Sequence, residues 1–294
     1  MRRIVQLSVL CLAAGVVSAC NPEQTVTTEV IPTAGVRFLN AVPDSAGAFG
    51  MDFRFVDIVE SNAQFKIGFR NAPPASGIQV STGIEYKNAR AGARHFRVFL
   101  DDTLQTLASI VLADTTVTLE ATHNYTVVLW GNGRSSGADK MKLTVIDETV
   151  GDPGAQVALR ILNATNGPIE GRQYAQGGTA PTAATWANVP AFSASGYVNV
   201  APGPIMYNIR TTGSATNLFN DLQALPGAPA SSSAGAAGKI DTDALPGTTI
   251  AGSAVTMIVF PRSTAGARTP QTAAFLVPAG TFMWDRRPPR PPGA

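Results

Sequence analysis

Val36-Arg37-Phe38-Leu39-Asn40-Ala41 returns later in the chain as Leu159-Arg160-Ile161-Leu162-Asn163-Ala164. Three further pieces come back in the same order. Tyr86 with Gly92 returns as Tyr197 with Gly203, Thr115-Thr116-Val117 as Thr248-Thr249-Ile250, and Tyr125-Thr-Val-Val-Leu-Trp130 as Val255-Thr-Met-Ile-Val-Phe260. The spacing between partners drifts, as insertions in loops would make it drift. Ordered self-similarity of this kind points to a duplicated structural unit.

Each copy reads as strands. Phe65, Ile67 and Phe69 alternate with Lys66, Gly68 and Arg70, and Phe96, Val98 and Leu100 alternate with His95, Arg97 and Phe99. Met141, Leu143 and Val145 alternate with Lys140, Lys142 and Thr144. Period-two alternation broken by Gly, Pro, Asn and Asp is the strand signal. Helical spacing is confined to short stretches near Leu104 to Ile110 and Ala215 to Leu225. The predicted fold is all-β: two tandem immunoglobulin-like antiparallel β-sandwich domains. A hydrophobic fraction of 45% with 14% charged residues fits folded domains rather than disorder.

The expected organisation has five parts: a signal peptide over 1–19, a lipidated N-terminus and tether over 20–34, a first repeat over 35–150, a second over 151–285, and a tail over 286–294. The boundary between repeats falls at the turn formers Thr149-Val-Gly-Asp-Pro-Gly154. The second repeat carries a long stretch from about 211 to 247, including Ser231-Ser-Ser-Ala-Gly-Ala-Ala-Gly238, read as a flexible loop with little to bury. The tail, with Arg286, Arg287 and Arg290 among prolines, favours polyproline II.

Each copy resembles the bacterial envelope family known as domain of unknown function 4397. The residues that carry the likeness are Val36-Arg-Phe-Leu-Asn-Ala-Val-Pro-Asp44, Tyr86 with Gly92, and Asn124-Tyr-Thr-Val-Val-Leu-Trp-Gly131. In the second copy Thr165-Asn166 stands where the opening has Pro43-Asp44, and Val255-Thr256 replaces the Tyr-Thr pair. The resemblance implies secreted or lipid-anchored β-sandwich repeats and implies no particular activity.

The leader has a charged start at Arg2 and Arg3, an apolar centre from Ile4 to Val17, and Val17-Ser18-Ala19-Cys20 at its end. The apolar run is shorter than the ~20 residues needed to span a bilayer. A small-residue site closed by cysteine resembles a lipobox, so Cys20 is the predicted lipidation site, carrying diacylglycerol and an N-acyl chain such as palmitate. Two or three acyl chains on one residue anchor far more firmly than one. Asn21, where aspartate would retain the protein at the inner membrane, favours the outer membrane. Cys11 leaves with the leader, so no thiol is left for disulfide, metal or nucleophile. The 22 Lys and Arg against 20 Asp and Glu balance once Arg2 and Arg3 are removed, which gives no argument for nucleic acid as a partner.

Catalytic patterns are weak. Gly133-Arg-Ser-Ser-Gly137 spells Gly-x-Ser-x-Gly, but a nucleophile elbow needs a following helix, and a strand is predicted there. His95 and His123 stand apart without metal-ligand spacing and read as surface or turn residues. Asp101-Asp102 and Asp147-Glu148 sit at strand ends, where adjacent residues face opposite ways, and read as solvated turns. Asp241-Thr242-Asp243 opens like a calcium loop but lacks the later glutamate. Arg37 and Arg160 recur on the first strands as exposed or inter-strand partners. Trp130, Trp186 and Trp284 read as core or loop packing rather than sugar platforms.

No catalytic, cofactor or metal residue is therefore predicted. The expectation is a non-catalytic, lipid-anchored cell-envelope protein with a structural or adhesive role, its partners being the membrane through Cys20 and envelope proteins or glycans. The alternative is a carbohydrate-binding or accessory module of an envelope polysaccharide system, which requires aromatics clustered on an exposed face. A hydrolase would require Ser135 or an acidic pair to meet a partner in a cleft.

Overall fold

The computed structural model describes residues 30–45, 50–58, 65–71, 86–231 and 243–289. The chain divides into a unit of Met1–Ile31 and a unit of Pro32–Ala294, and every described strand belongs to the second. The leader, Cys20 and most of the tether lie outside the described residues, as do most of the Ser/Gly/Ala-rich loop, Asp241, Thr242 and Arg290.

The first half forms β1 (Thr33–Asn40), β2 (Met51–Phe55), β3 (Phe65–Ile67), β4 (Lys87–Arg90), β5 (Gly92–Leu100), β6 (Val111–Leu119), β7 (Asn124–Trp130) and β8 (Lys142–Asp147). They build two four-stranded sheets, ordered β4-β1-β7-β8 and β3-β2-β5-β6. The second half forms β9 (Val157–Asn163), β10 (Ile169–Ala175), β11 (Trp186–Val189), β12 (Ser193–Ala194), β13 (Val198–Val200), β14 (Ile205–Thr211), β15 (Leu222–Gln223), β16 (Ala254–Phe260) and β17 (Ala279–Arg286). Its sheets run β12-β9-β16-β17, with β13 also on β9, and β11-β10-β14-β15. The connectivity of the two halves is the same, strand for strand, once β12 and β13 together stand for β4. No helix among the described residues is long and apolar enough to cross a membrane.

One pair in each half departs from the antiparallel expectation. β1 lies parallel to β7 with Arg37 opposite Thr126, and β9 lies parallel to β16 with Arg160 opposite Thr256. These four strands are the repeated apolar stretches, and they are buried on both faces, as strands with layers on either side must be. Strand alternation divides their side chains. Val36, Phe38, Tyr125, Val127 and Leu129 enter the first core with Phe53 and Phe96. Leu159, Ile161, Val255, Met257 and Val259 enter the second with Trp186 and Tyr207. The opposite faces meet each other: Leu39, Val128 and Trp130 pack with Leu162, Ile258, Phe260 and Met283. The result is four stacked sheets with three apolar layers between them.

Three sequence expectations need correction. The helical turn Gln105–Ala108 falls within the first stretch of helical spacing, but Ala215 to Leu225 is not helical. Leu218 donates its backbone N–H to Ile209, and β15 pairs with the edge of β14, so sheet hydrogen bonds take the backbone that a helix would have used. The long stretch 211–247 buries Ala224 and Leu225 in the second core, so it is packed structure over part of its described residues, 211–231 and 243–247, rather than a loop with little to bury. Finally, Thr115–Val117 lies in β6, whereas Thr248–Ile250 forms a turn. That sequence match does not join equivalent elements, because the counterpart of β6 is β15.

Candidate functional site

The face that joins the halves is apolar at one end and charged at the other. Arg37 Nε donates to Thr126 Oγ1 at 2.8 Å, and Arg160 Nε donates to Thr256 Oγ1 at 2.7 Å. Each guanidinium then crosses to the other half. Arg37 reaches Asp285 Oδ1 at 2.5 Å and donates to the Trp284 carbonyl at 2.7 Å, while Arg160 pairs with Glu148. The cross terms are longer, Arg37 to Glu148 at 3.6 Å and Arg160 to Asp285 at 3.9 Å. Tyr86 lies under Arg37 with 4.4 Å from guanidinium carbon to ring centroid, and Tyr197 under Arg160 with 4.6 Å. Burial pushes both phenols well above their ordinary range. The recurring arginines are thus buried, not exposed, though the inter-strand partners are real. Glu148 is buried as well, which overturns its reading as a solvated turn.

At the other end of the same strands lies a cleft of about 820 Å³. β1, β7, β9 and β16 all deliver their carboxyl ends to it, through Pro43, Gly131, Ala164 and Pro261. Local hydrogen bonds fix these exits. Asn40 Oδ1 accepts from the Val42 N–H and Asn163 Oδ1 from the Thr165 N–H, the same two-residue turn in each half. Asn163 also donates to the carbonyls of Gly167, Val189 and Pro190. Asp44 accepts the N–H groups of Gly133 and Arg134, so the Pro-Asp pair of the opening motif pins the β7–β8 hairpin.

The far wall of the cleft is the long β16–β17 connection, held by an arginine that no sequence motif marks. Arg70 is buried and donates to the carbonyls of Pro261, Ala274, Phe275 and Val277. No ion pair joins it among the described residues, and burial lowers its pKa to about 10. The Thr264 N–H and the Thr269 hydroxyl both donate to the Pro43 carbonyl and close the wall against the first half. Among the described residues, Arg262 is the single charged side chain that lines the cleft. It is exposed and has no hydrogen-bond or ion-pair partner among the described residues.

The remaining sequence candidates do not come together. Ser135 sits in the β7–β8 hairpin, donates to Asp139 and accepts from the Gly137 N–H; β8 follows, not a helix. His95 pairs with Asp114 at 2.6 Å and His123 with Asp147 at 2.8 Å, both at the surface. The hydrogen bond to Asp147 raises the His123 pKa above its ordinary value. Asp101 is buried and pairs with Lys66 at 3.1 Å, so it too is not solvated; Asp102 receives Arg268 at 2.6 Å. Among the described residues no three His, Cys, Asp or Glu side chains are grouped to hold a metal. Trp130, Trp186 and Trp284 are all buried, so they form no exposed platform.

Asp285 and Arg262 were missed because neither sits in a repeated motif. The one available signal was chemical: Arg37 and Arg160 recur with Thr126 and Thr256 inside otherwise apolar runs, and buried charges demand partners. No curated protein matches the chain. Residues 34–168, from the second residue of β1 to the turn after β9, match the family model described as Domain of unknown function (DUF4397), and over that span the chain resembles that family.

Proposed function

We propose that the chain is a non-catalytic lipoprotein of the bacterial cell envelope, exported by a signal peptide and held by acyl chains on Cys20. The outer membrane is its favoured location. Two immunoglobulin-like repeats, descended from one duplicated unit, act as a stiff spacer that presents loops to envelope proteins. The observation that carries this reading is the junction. Arg37, Glu148, Arg160 and Asp285 are buried between the halves beside the apolar layer of Leu39, Trp130, Ile258 and Phe260. A spacer gains from such a junction, since separate beads on a linker would transmit no orientation.

Labelled palmitate should enter the wild-type protein and not the Cys20→Ala form; an unlabelled wild type would end the anchor assignment. Crosslinking in intact envelopes then tests the role. Protein partners confined to the anchored form support the spacer, whereas specific recovery of a glycan supports the carbohydrate-binding alternative. Burial of the three tryptophans weighs against that alternative, because sugar rings are held by exposed aromatic faces.

A further inference from the structure

We propose that the cleft at the carboxyl ends of β1, β7, β9 and β16 binds an amphipathic carboxylate, with its anionic head on Arg262 and its aliphatic body along the apolar wall. The volume of about 820 Å³ falls in the range of small-molecule sites, and a seam between two packed sandwiches, here the two halves of the Pro32–Ala294 unit, is where such sites concentrate. The choice of ligand follows from the lining.

The head is set by charge. Among the described residues no acidic side chain lines the cleft, and Arg262 stands there without a partner. A guanidinium offers a planar fork that matches a carboxylate. Next to Arg262, Ser263 also lines the cleft; it is buried, and its Oγ has no hydrogen-bond partner in the described structure. An orphaned buried hydroxyl is costly unless something completes it, and a carboxylate oxygen would do so. The Lys142 ammonium, which does not itself line the cleft, lies 5.0 Å from the ring centroid of Phe192, a lining residue.

The body is set by shape. Pro43, Pro261, Pro278, Leu218, Leu276 and Ile169 offer apolar surface without a flat aromatic face, and Phe192 is the sole aromatic among the described lining residues. Such a wall suits a flexible aliphatic chain better than a sugar ring. The wall is also preorganised. Arg70, itself at a positive φ of 67°, ties down the β16–β17 connection, and Phe192 is held at φ 55°, a conformation that a bulky residue adopts only when its surroundings enforce it. A site that is already ordered loses less conformational entropy on binding. The proposal stands apart from the anchoring of the chain, since Cys20 takes no part in it.

The test uses the full chain carrying Cys20→Ala, purified without detergent and titrated calorimetrically with decanoate. One site per chain is expected. Arg262→Gln should weaken decanoate about tenfold or more and leave decanol unchanged, because only the charged hydrogen bonds are lost. Leu276→Gln, at the half-exposed rim, should weaken decanoate and decanol alike. Both positions are at the surface, so folding is not at stake. Absence of decanoate binding overturns the proposal, as does binding that neither substitution alters. Binding of an oligogalacturonate in place of decanoate, lost in Arg262→Gln, would also overturn it by replacing the aliphatic body with a glycan.

Discussion

Arg37 shows how a charge can be required without being a ligand contact. Its guanidinium is buried, so its hydration must be replaced, and Thr126, the Trp284 carbonyl and Asp285 replace it. Removing one member of such a cluster costs more than the cluster contributes, because the partner left behind stays buried and unpaired. Arg37→Ala is therefore expected to lower stability by about 3–5 kcal/mol in urea unfolding. A loss under about 1 kcal/mol would mean that water reaches Asp285. At the edge of the first sandwich, hydrogen bonds from Arg94 hold Asp57 at a pKa of about 2, below its ordinary value, against the opposing effect of burial. A depressed carboxylate stabilises the fold above its unfolded pKa of ~4, and that stability is lost as pH falls toward 2. Acid melting of Asp57→Asn should accordingly be flatter than wild type between about pH 4 and 2; parallel curves would remove Asp57 from the linkage.

At the scale of elements, the central strands show why simple alternation was easy to read in some places and hard in others. β5 alternates because one face meets the first core, while the side chains of the other, Ala93, His95, Arg97 and Phe99, are exposed or half-buried. β9 and β16 are buried at every position, so apart from Arg160, Asn163 and Thr256 their sequences read as apolar runs with no period. The hairpin after β7 shows where backbone conformation decides the residue. Gly131 has φ +85°, and a Cβ there would lie 2.5 Å from the Lys140 carbonyl oxygen. Gly131→Ala should cost about 1–3 kcal/mol, since both strain and clash must be absorbed. Gly151→Ala, with ordinary φ and open space around it, is the control and should stay within about 0.5 kcal/mol. Equal effects from the two in thermal unfolding would argue against a constrained hairpin.

The whole unit from Pro32 to Ala294 stacks four sheets, and its middle layer belongs to both halves. Leu39 and Val128 cannot stay buried if Leu162 and Ile258 leave. The two sandwiches are therefore expected to unfold in a single transition, with calorimetric and van't Hoff enthalpies in agreement. Two resolved transitions would contradict a shared core. Trp130 reports on that layer, since it is buried there and its indole N–H donates to Thr144. Its fluorescence should change together with circular dichroism across the transition.

The repeats of Val36–Ala41 and Tyr125–Trp130 were enough to specify the strands, because apolar β-branched and aromatic runs bounded by turn formers have few other stable forms. They also carried the family likeness, and Asn40 and Asn163 show why the motif includes asparagine: it turns the chain out of the sheet. Partners could not be read in this way. Nothing in the spacing joins Arg37 to Asp285, Arg160 to Glu148, or Arg70 to the carbonyls of the β16–β17 connection. Those contacts arise from packing one sheet on another, and strand periodicity says which face a residue occupies but not what covers that face. The same holds for the cleft, whose lining is gathered from both halves by the shared direction of four strands. Strand and repeat are local properties of the chain; junction, charge pairing and cavity exist only once the layers have closed.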